Sequence, residues 1–187
     1  MRILLLSFTA VLLAVLNLQA QSELTHVSVC KILEKPSAYD GKMLRVRGTV
    51  RSWFEFFALV DSDCKDAIAL DFPDDPLVKP KPDFKAEEDD AYMNLRRLVT
   101  EYTRYAPALA RATLVGRLDG VDELKPPVDD APPGVIRGAS RSSNGFGHLG
   151  QYRARLVIMR VVEVERLPLP EKPPSKPDQV DPSVPKY

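Results

Sequence analysis

Tyr39-Asp40-Gly41-Lys42-Met43-Leu44-Arg45-Val46-Arg47-Gly48-Thr49-Val50-Arg51 opens the stretch that decides the fold, and that stretch runs on to Phe72. A turn sequence leads into strict alternation. Leu44, Val46, Gly48 and Val50 hold one parity, while Arg45, Arg47, Thr49 and Arg51 hold the other. A period of two residues is the signature of a strand with one buried and one solvated face. The same reading predicts a first strand over 43–51 and a second, aromatic-rich strand over 54–60. A polar hairpin tip over 61–66 and a third strand over 67–72 follow.

The flanks supply the remaining elements. Toward the N-terminus, Val29, Ile32 and Leu33 fall at helical spacing within 27–33, and Glu34-Lys35-Pro36 stops that helix because proline cannot continue its interior. Downstream, 73–82 is a proline-punctuated connection. A helix is expected over 85–105, where Ala91, Leu95, Leu98, Val99 and Tyr102 form one apolar stripe. Its acidic first turns and later arginines complement the helix dipole. A fourth strand is expected over 109–118 and a fifth over 152–167, whose inward parity slips near Arg160 and predicts a bulge. The intervening 119–150 is long and rich in Pro, Gly and Ser, a length that usually marks a functional or mobile loop. Strand–strand–strand–helix–strand–strand is the order of the five-stranded OB Greek-key barrel, with its helix between the third and fourth strands. The expected class is therefore mostly β with helices, a small OB-like barrel preceded by an N-terminal helix.

Several motifs carry a likeness beyond element order. Val29-Cys30-x-Ile32-Leu33, Tyr39-x-Gly41-Lys42-x-Leu44-x-Val46-x-Gly48 and Asp61-x-Asp63-Cys64 resemble uncharacterised secreted bacterial OB-fold proteins. So does Gly145-Phe146-Gly147-His148-Leu149-Gly150-x-Tyr152-x-x-Arg155-Leu156-Val157-Ile158. The likeness covers residues 26–72 and 108–166. It implies the fold and export, and brings with it no catalytic set.

The first residues bear on compartment. Met1-Arg2, an apolar run to Leu18 and small-residue chemistry at Leu18-Gln19-Ala20 read as a cleaved signal peptide over 1–20. Residues 21–167 then form one domain, and 168–187, with seven prolines, an extended tail. The expected location is periplasmic or extracellular, with no stable membrane span after cleavage. Cys30 and Cys64 are the only cysteines. In an oxidising compartment an even count reads as a disulfide, the alternative being two buried thiols.

Charge is balanced overall, at 26 basic and 26 acidic side chains, which removes any global attraction for nucleic acid or anionic membrane. It is uneven along the chain. Residues 61–90 hold eleven acidic and four basic side chains, whereas 137–160 hold five arginines and no acid. Two such poles either polarise the surface or face each other.

Candidate ligand residues come from three sources. Trp53 and Phe56 belong to an aromatic cluster on the second strand, where OB folds bind oligonucleotides or oligosaccharides by stacking. Arg45, Arg47 and Arg51 share one strand face, and Arg155 lies on the last strand; guanidinium groups bind carboxylate or phosphate in bidentate fashion. Phe146 and His148 sit in the glycine-rich mouth of that last strand. The plainer reading of each is available too: core filling for the aromatics, an ordinary wet face for the arginines, and a backbone bend around His148. No hydrolase, zinc-protease or phosphate-loop motif is present, so no catalytic residue, metal site or cofactor is assigned. The functional expectation is a non-catalytic exported binding module for an envelope protein or peptide. An oligosaccharide or single-stranded nucleic acid on the face of strands two and three is the alternative, and a hydrolase or metal enzyme using His148 stands behind both.

Overall fold

Ser28 divides the N-terminal segment into two elements. Its side chain accepts a hydrogen bond from the Lys31 N–H at 3.3 Å. This N-cap starts helix α1 (Val29–Glu34) and leaves His26–Ser28 extended as strand β1. The expected helix over 27–33 thus begins at Val29, because Val27 and Ser28 pair in parallel with Val46 and Arg47. The computed structural model describes residues 24–53, 56–100, 108–126 and 142–169, and of Trp53 and Phe56 the backbone only. The expected signal peptide, the residues of the tail beyond Leu169 and the centre of the long loop lie outside the described residues.

The other strands are β2 (Met43–Trp53), β3 (Phe56–Val60), β4 (Ala67–Asp71), β5 (Ala108–Gly120) and β6 (Ala154–Arg166), with helix α2 (Asp90–Thr100) between β4 and β5. They pair in the order β1-β2-β3-β4-β6-β5, and β5 returns to β2 over ten residue pairs from Met43–Arg117 to Ser52–Ala108. The result is a closed five-stranded barrel with β1 as an extra strand on β2. The β4–β6 seam is parallel; the other barrel pairs are antiparallel. Alternation sorts the side chains as the sequence requires: Leu44, Val46 and Val50 are buried in the core with Leu59, Ile68, Leu114 and Leu156, while Arg47 and Arg51 are exposed.

Both barrel ends are stoppered. At one, α1 contributes Val29, Ile32 and Leu33 to the core, and a Cys30–Cys64 disulfide ties it to the β3–β4 hairpin tip. At the other, α2 contributes Tyr92, Leu95 and Val99. There Phe57 stacks on Phe72 at 5.4 Å between ring centroids, and Phe72 meets Tyr92 edge-on at 5.5 Å.

The expected bulge is present and double. Thr113 pairs with Glu163 but Leu114 with Val161; Val115 pairs with Arg160 but Gly116 with Ile158. Val162 and Met159 are therefore supernumerary on either side of Arg160. The Met159 carbonyl accepts the Glu87 N–H at 2.7 Å. That bond holds the chain before α2 extended, so the helix expected from residue 85 starts at Asp90, with the Asp89 carboxylate accepting the Tyr92 N–H at 2.8 Å. Residues 101–107, where the same helix was expected to end, lie outside the described residues. Within 142–152 a small turn joins Phe146 to Tyr152 as an isolated antiparallel bridge. Gly147 supplies the φ of +66° this turn needs, and a Cβ there would lie 2.6 Å from the Tyr152 ring.

Candidate functional site

The outer face of β2 carries a groove of about 690 Å³. Its floor is Arg47, Thr49 and Arg51; β1 supplies His26 and Ser28 on one side, and the hairpin tip supplies Asp61, Lys65 and Asp66 on the other. Arg111 enters from β5, where the register sets it directly opposite Thr49 and hence between Arg47 and Arg51. The groove exists because β2 changes partner along its length. Residues 45–47 pair with β1 and residues 49–53 with β3, and the disulfide joins the elements following each.

Charge in this groove is not internally balanced. Several arginines elsewhere on the described barrel find carboxylates: Arg96 with Asp74 at 2.6 Å, Arg117 with Asp119 at 2.8 Å, Arg153 with Asp66 at 3.1 Å and Arg160 with Glu87 at 3.6 Å. Arg97 and Arg166, exposed together at the α2–β6 contact, do not among the described residues. Arg111 reaches Glu165 at 3.6 Å. Arg47 and Arg51 are exposed and have no ion pair or hydrogen-bonded counter-ion among the described residues. Of the two acids beside them, Asp66 is engaged by Arg153, and Asp61 accepts the Asp63 N–H at 3.2 Å.

A second polar cluster lies on the far side of the barrel, over the β4–β6–β5 seam, and it is closed. Arg155, 5% exposed, donates to Asp119 at 2.5 Å and to the Lys79 carbonyl at 2.9 Å. Arg117 donates to the same carboxylate at 2.8 Å and to the Pro80 carbonyl at 3.0 Å. The Phe146 ring covers Arg155, with 4.9 Å between guanidinium and centroid. Asp71 stands 3.6 Å from Arg155, yet its pKa is pushed up to about 6: burial outweighs the attraction of the guanidinium. The segment 73–82 and the turn around Phe146 are thereby clamped over the seam.

These positions divide the residues singled out in the sequence. Arg47 and Arg51 come together in the groove. Arg45 shares their face but is half-buried, with its Nε buried and without a partner, and does not line the groove. Phe146 and Arg155 belong to the seam cluster, and half-buried His148 lies in the adjoining single 3-10 turn (His148–Gly150). Arg155 lies on β6, two strands from β2 by way of β5, and none of these three lines the groove. Trp53 and Phe56 are register partners at the α2 end of β2 and β3, two residues beyond Arg51 and Ala58; their side chains lie outside the description. Arg111 and Lys65 were not singled out. Nothing local marks Arg111, whose place depends on the β2–β5 register. Among the described residues, no cluster of three His, Cys, Asp or Glu could hold a metal, and no helix is long and apolar enough to cross a membrane. No family model matches the chain, and neither a curated protein nor a solved structure matches it.

Proposed function

We propose that this protein is an exported, non-catalytic binding module on an OB-type barrel, and that it takes a protein or peptide partner in the groove over β2. The observation that carries this reading is the pair Arg47 and Arg51, exposed beside one groove without counter-ions among the described residues. An exposed cation pair on a rigid strand gains from a partner's anions at little ordering cost. The disulfide fits an oxidising compartment, and the helix between the third and fourth barrel strands fits the OB order.

The chain's only tryptophan, Trp53, ends β2 and serves as reporter. Titrating the protein with peptides, oligosaccharides and single-stranded oligonucleotides at two salt concentrations tests the reading. A saturable response to peptides that Arg51→Gln weakens is the expected result; silence to all three overturns it. A second reading, an oligosaccharide or single-stranded nucleic acid on the β2–β3 face, is favoured by one observation. The register continues from Arg51–Ala58 to Trp53–Phe56, an aromatic pair two residues along the strands from Arg51. A steeply salt-dependent response to oligonucleotides would select it.

A further inference from the structure

We infer that the occupant of the groove is an extended acidic peptide segment with carboxylates four residues apart, lying along β2 so that one meets Arg47 and the other Arg51. This inference rests on the groove being the binding site, and adds the chemistry of the partner. The geometry comes from the strand itself. Four residues at about 3.3 Å each place Arg47 and Arg51 about 13 Å apart on one face. An extended ligand presents its i and i+4 side chains on one face at that same spacing. Arg111, opposite Thr49, stands between them; among the described residues its ion pair is with Glu165, at 3.6 Å and with both side chains more than half exposed. A ligand carboxylate at the intermediate i+2 position can take that guanidinium over, because such an exposed pair is weak.

The walls select a peptide over a polyanion. Asp61 and Asp66 line the side formed by the hairpin tip, and a continuous phosphate backbone would meet both. A peptide has neutral residues between its acids, and its amides can hydrogen-bond the Ser28, Thr49 and Ser62 hydroxyls that also line the groove. With 26 charges of each sign, the chain exerts no net pull on a long polyanion.

The test uses the full-length protein and a fluorescein-labelled peptide of threonine and valine carrying two glutamates four residues apart. Its companions are the same peptide with glutamines, the same peptide with the glutamates adjacent, and an oligothymidylate. Fluorescence polarisation is expected to show saturable binding of the spaced peptide. Binding should fall by about fivefold for Arg47→Gln and for Arg51→Gln, and by more for the glutamine peptide, the scale of exposed ion pairs. The melting temperatures of both variants verify that they fold. Equal binding of the adjacent-glutamate peptide, indifference to both arginine variants, or binding of oligothymidylate alone overturns the inference. A photo-cross-linking side chain at Thr49, expressed in the host cell, separates the two claims. If the spaced peptide is silent but Thr49 captures a defined protein that Arg51→Gln releases, the acidic segment is wrong and the groove stands. If both are silent, both fall.

Discussion

Asp119 is the residue on which the closed side of the barrel turns. One carboxylate, 7% exposed, accepts from both Arg117 and Arg155, and those arginines in turn hold the Lys79 and Pro80 carbonyls. Removing it leaves Arg117 without a carboxylate among the described residues and Arg155 with Asp71 at 3.6 Å, both in a poorly solvated place. Asp119→Ala is therefore expected to cost about 3 kcal/mol in urea unfolding, the low end of the range for breaking one partner out of a buried pair. A cost below about 1 kcal/mol would mean that water reaches the guanidinium groups. Asp71 makes the opposite case. Its folded pKa of about 6 lies above the ordinary 3.8 because burial penalises its charge. Between those two values the folded state holds the extra proton. The stabilisation is therefore complete below the unfolded value and is lost as pH rises through about 6, by up to about 3 kcal/mol. Asp71→Asn should then gain on the wild type as pH rises from 4 to 7, read as the difference between two melting curves at each pH. A difference that shrinks over that range would show the Arg155 contact outweighing burial.

Two elements depend on contacts distant in sequence. β1 has three residues and pairs only with β2 among the described strands, so its place rests on α1 and the Cys30–Cys64 bridge, which spans 34 positions. Closing a loop of that length contributes ~3–4 kcal/mol on the chain-entropy account. Reduction, or Cys30→Ser with Cys64→Ser, is expected to lower stability by about that amount. It should also raise amide exchange at residues 26–34 before the rest of the barrel, as mass spectrometry of exchanged peptides would read. Uniform exchange across the barrel would show β1 held without its staple. On β5 the critical feature is absence of a side chain. A Cβ on Gly116 would lie 2.2 Å from the Val157 carbonyl oxygen, beside the bulge that leaves Met159 free for Glu87. Backbone cannot retreat as a flexible side chain does, so Gly116→Ala should destabilise by more than about 2 kcal/mol, an overpacking cost. The same change at exposed Gly41, whose Cβ would touch nothing within 4 Å, carries only the strain of a φ of +71° and should cost less. Thermal melts of the two variants decide it.

At the scale of the molecule, the acidic and basic stretches of the chain face each other. Asp66 meets Arg153, Asp71 meets Arg155 and Glu87 meets Arg160, so part of the unevenness along the sequence is cancelled across the fold. The sequence made the barrel strands legible because each half-buried strand writes period two into its residues, and the slip near Arg160 made the bulge legible for the same reason. It did not make β1 legible, since three residues carry no period, nor the start of α2, since Glu87 is claimed by a carbonyl seventy-two positions away. Arg155 reads as a wet-face residue by parity; its burial comes from segments 73–82 and 142–152, which no local pattern announces. Arg47 and Arg51 were readable as an exposed pair, whereas Arg111 reaches them only through strand register. This division of charge has a measurable consequence. The facing pairs are either exposed, and worth ~1 kcal/mol or less each, or buried and shielded from salt. Raising ionic strength should therefore move the melting temperature little. Arg47 and Arg51 are exposed and unpaired among the described residues, so capture of the spaced acidic peptide should weaken several-fold over the same series, as screening shortens the reach of solvent-exposed charges. Melting and polarisation measured in one set of buffers give both numbers. If stability falls with salt as steeply as binding does, the facing poles hold the fold together more than their geometry indicates, and the groove cannot be treated as electrostatically independent of the barrel that carries it.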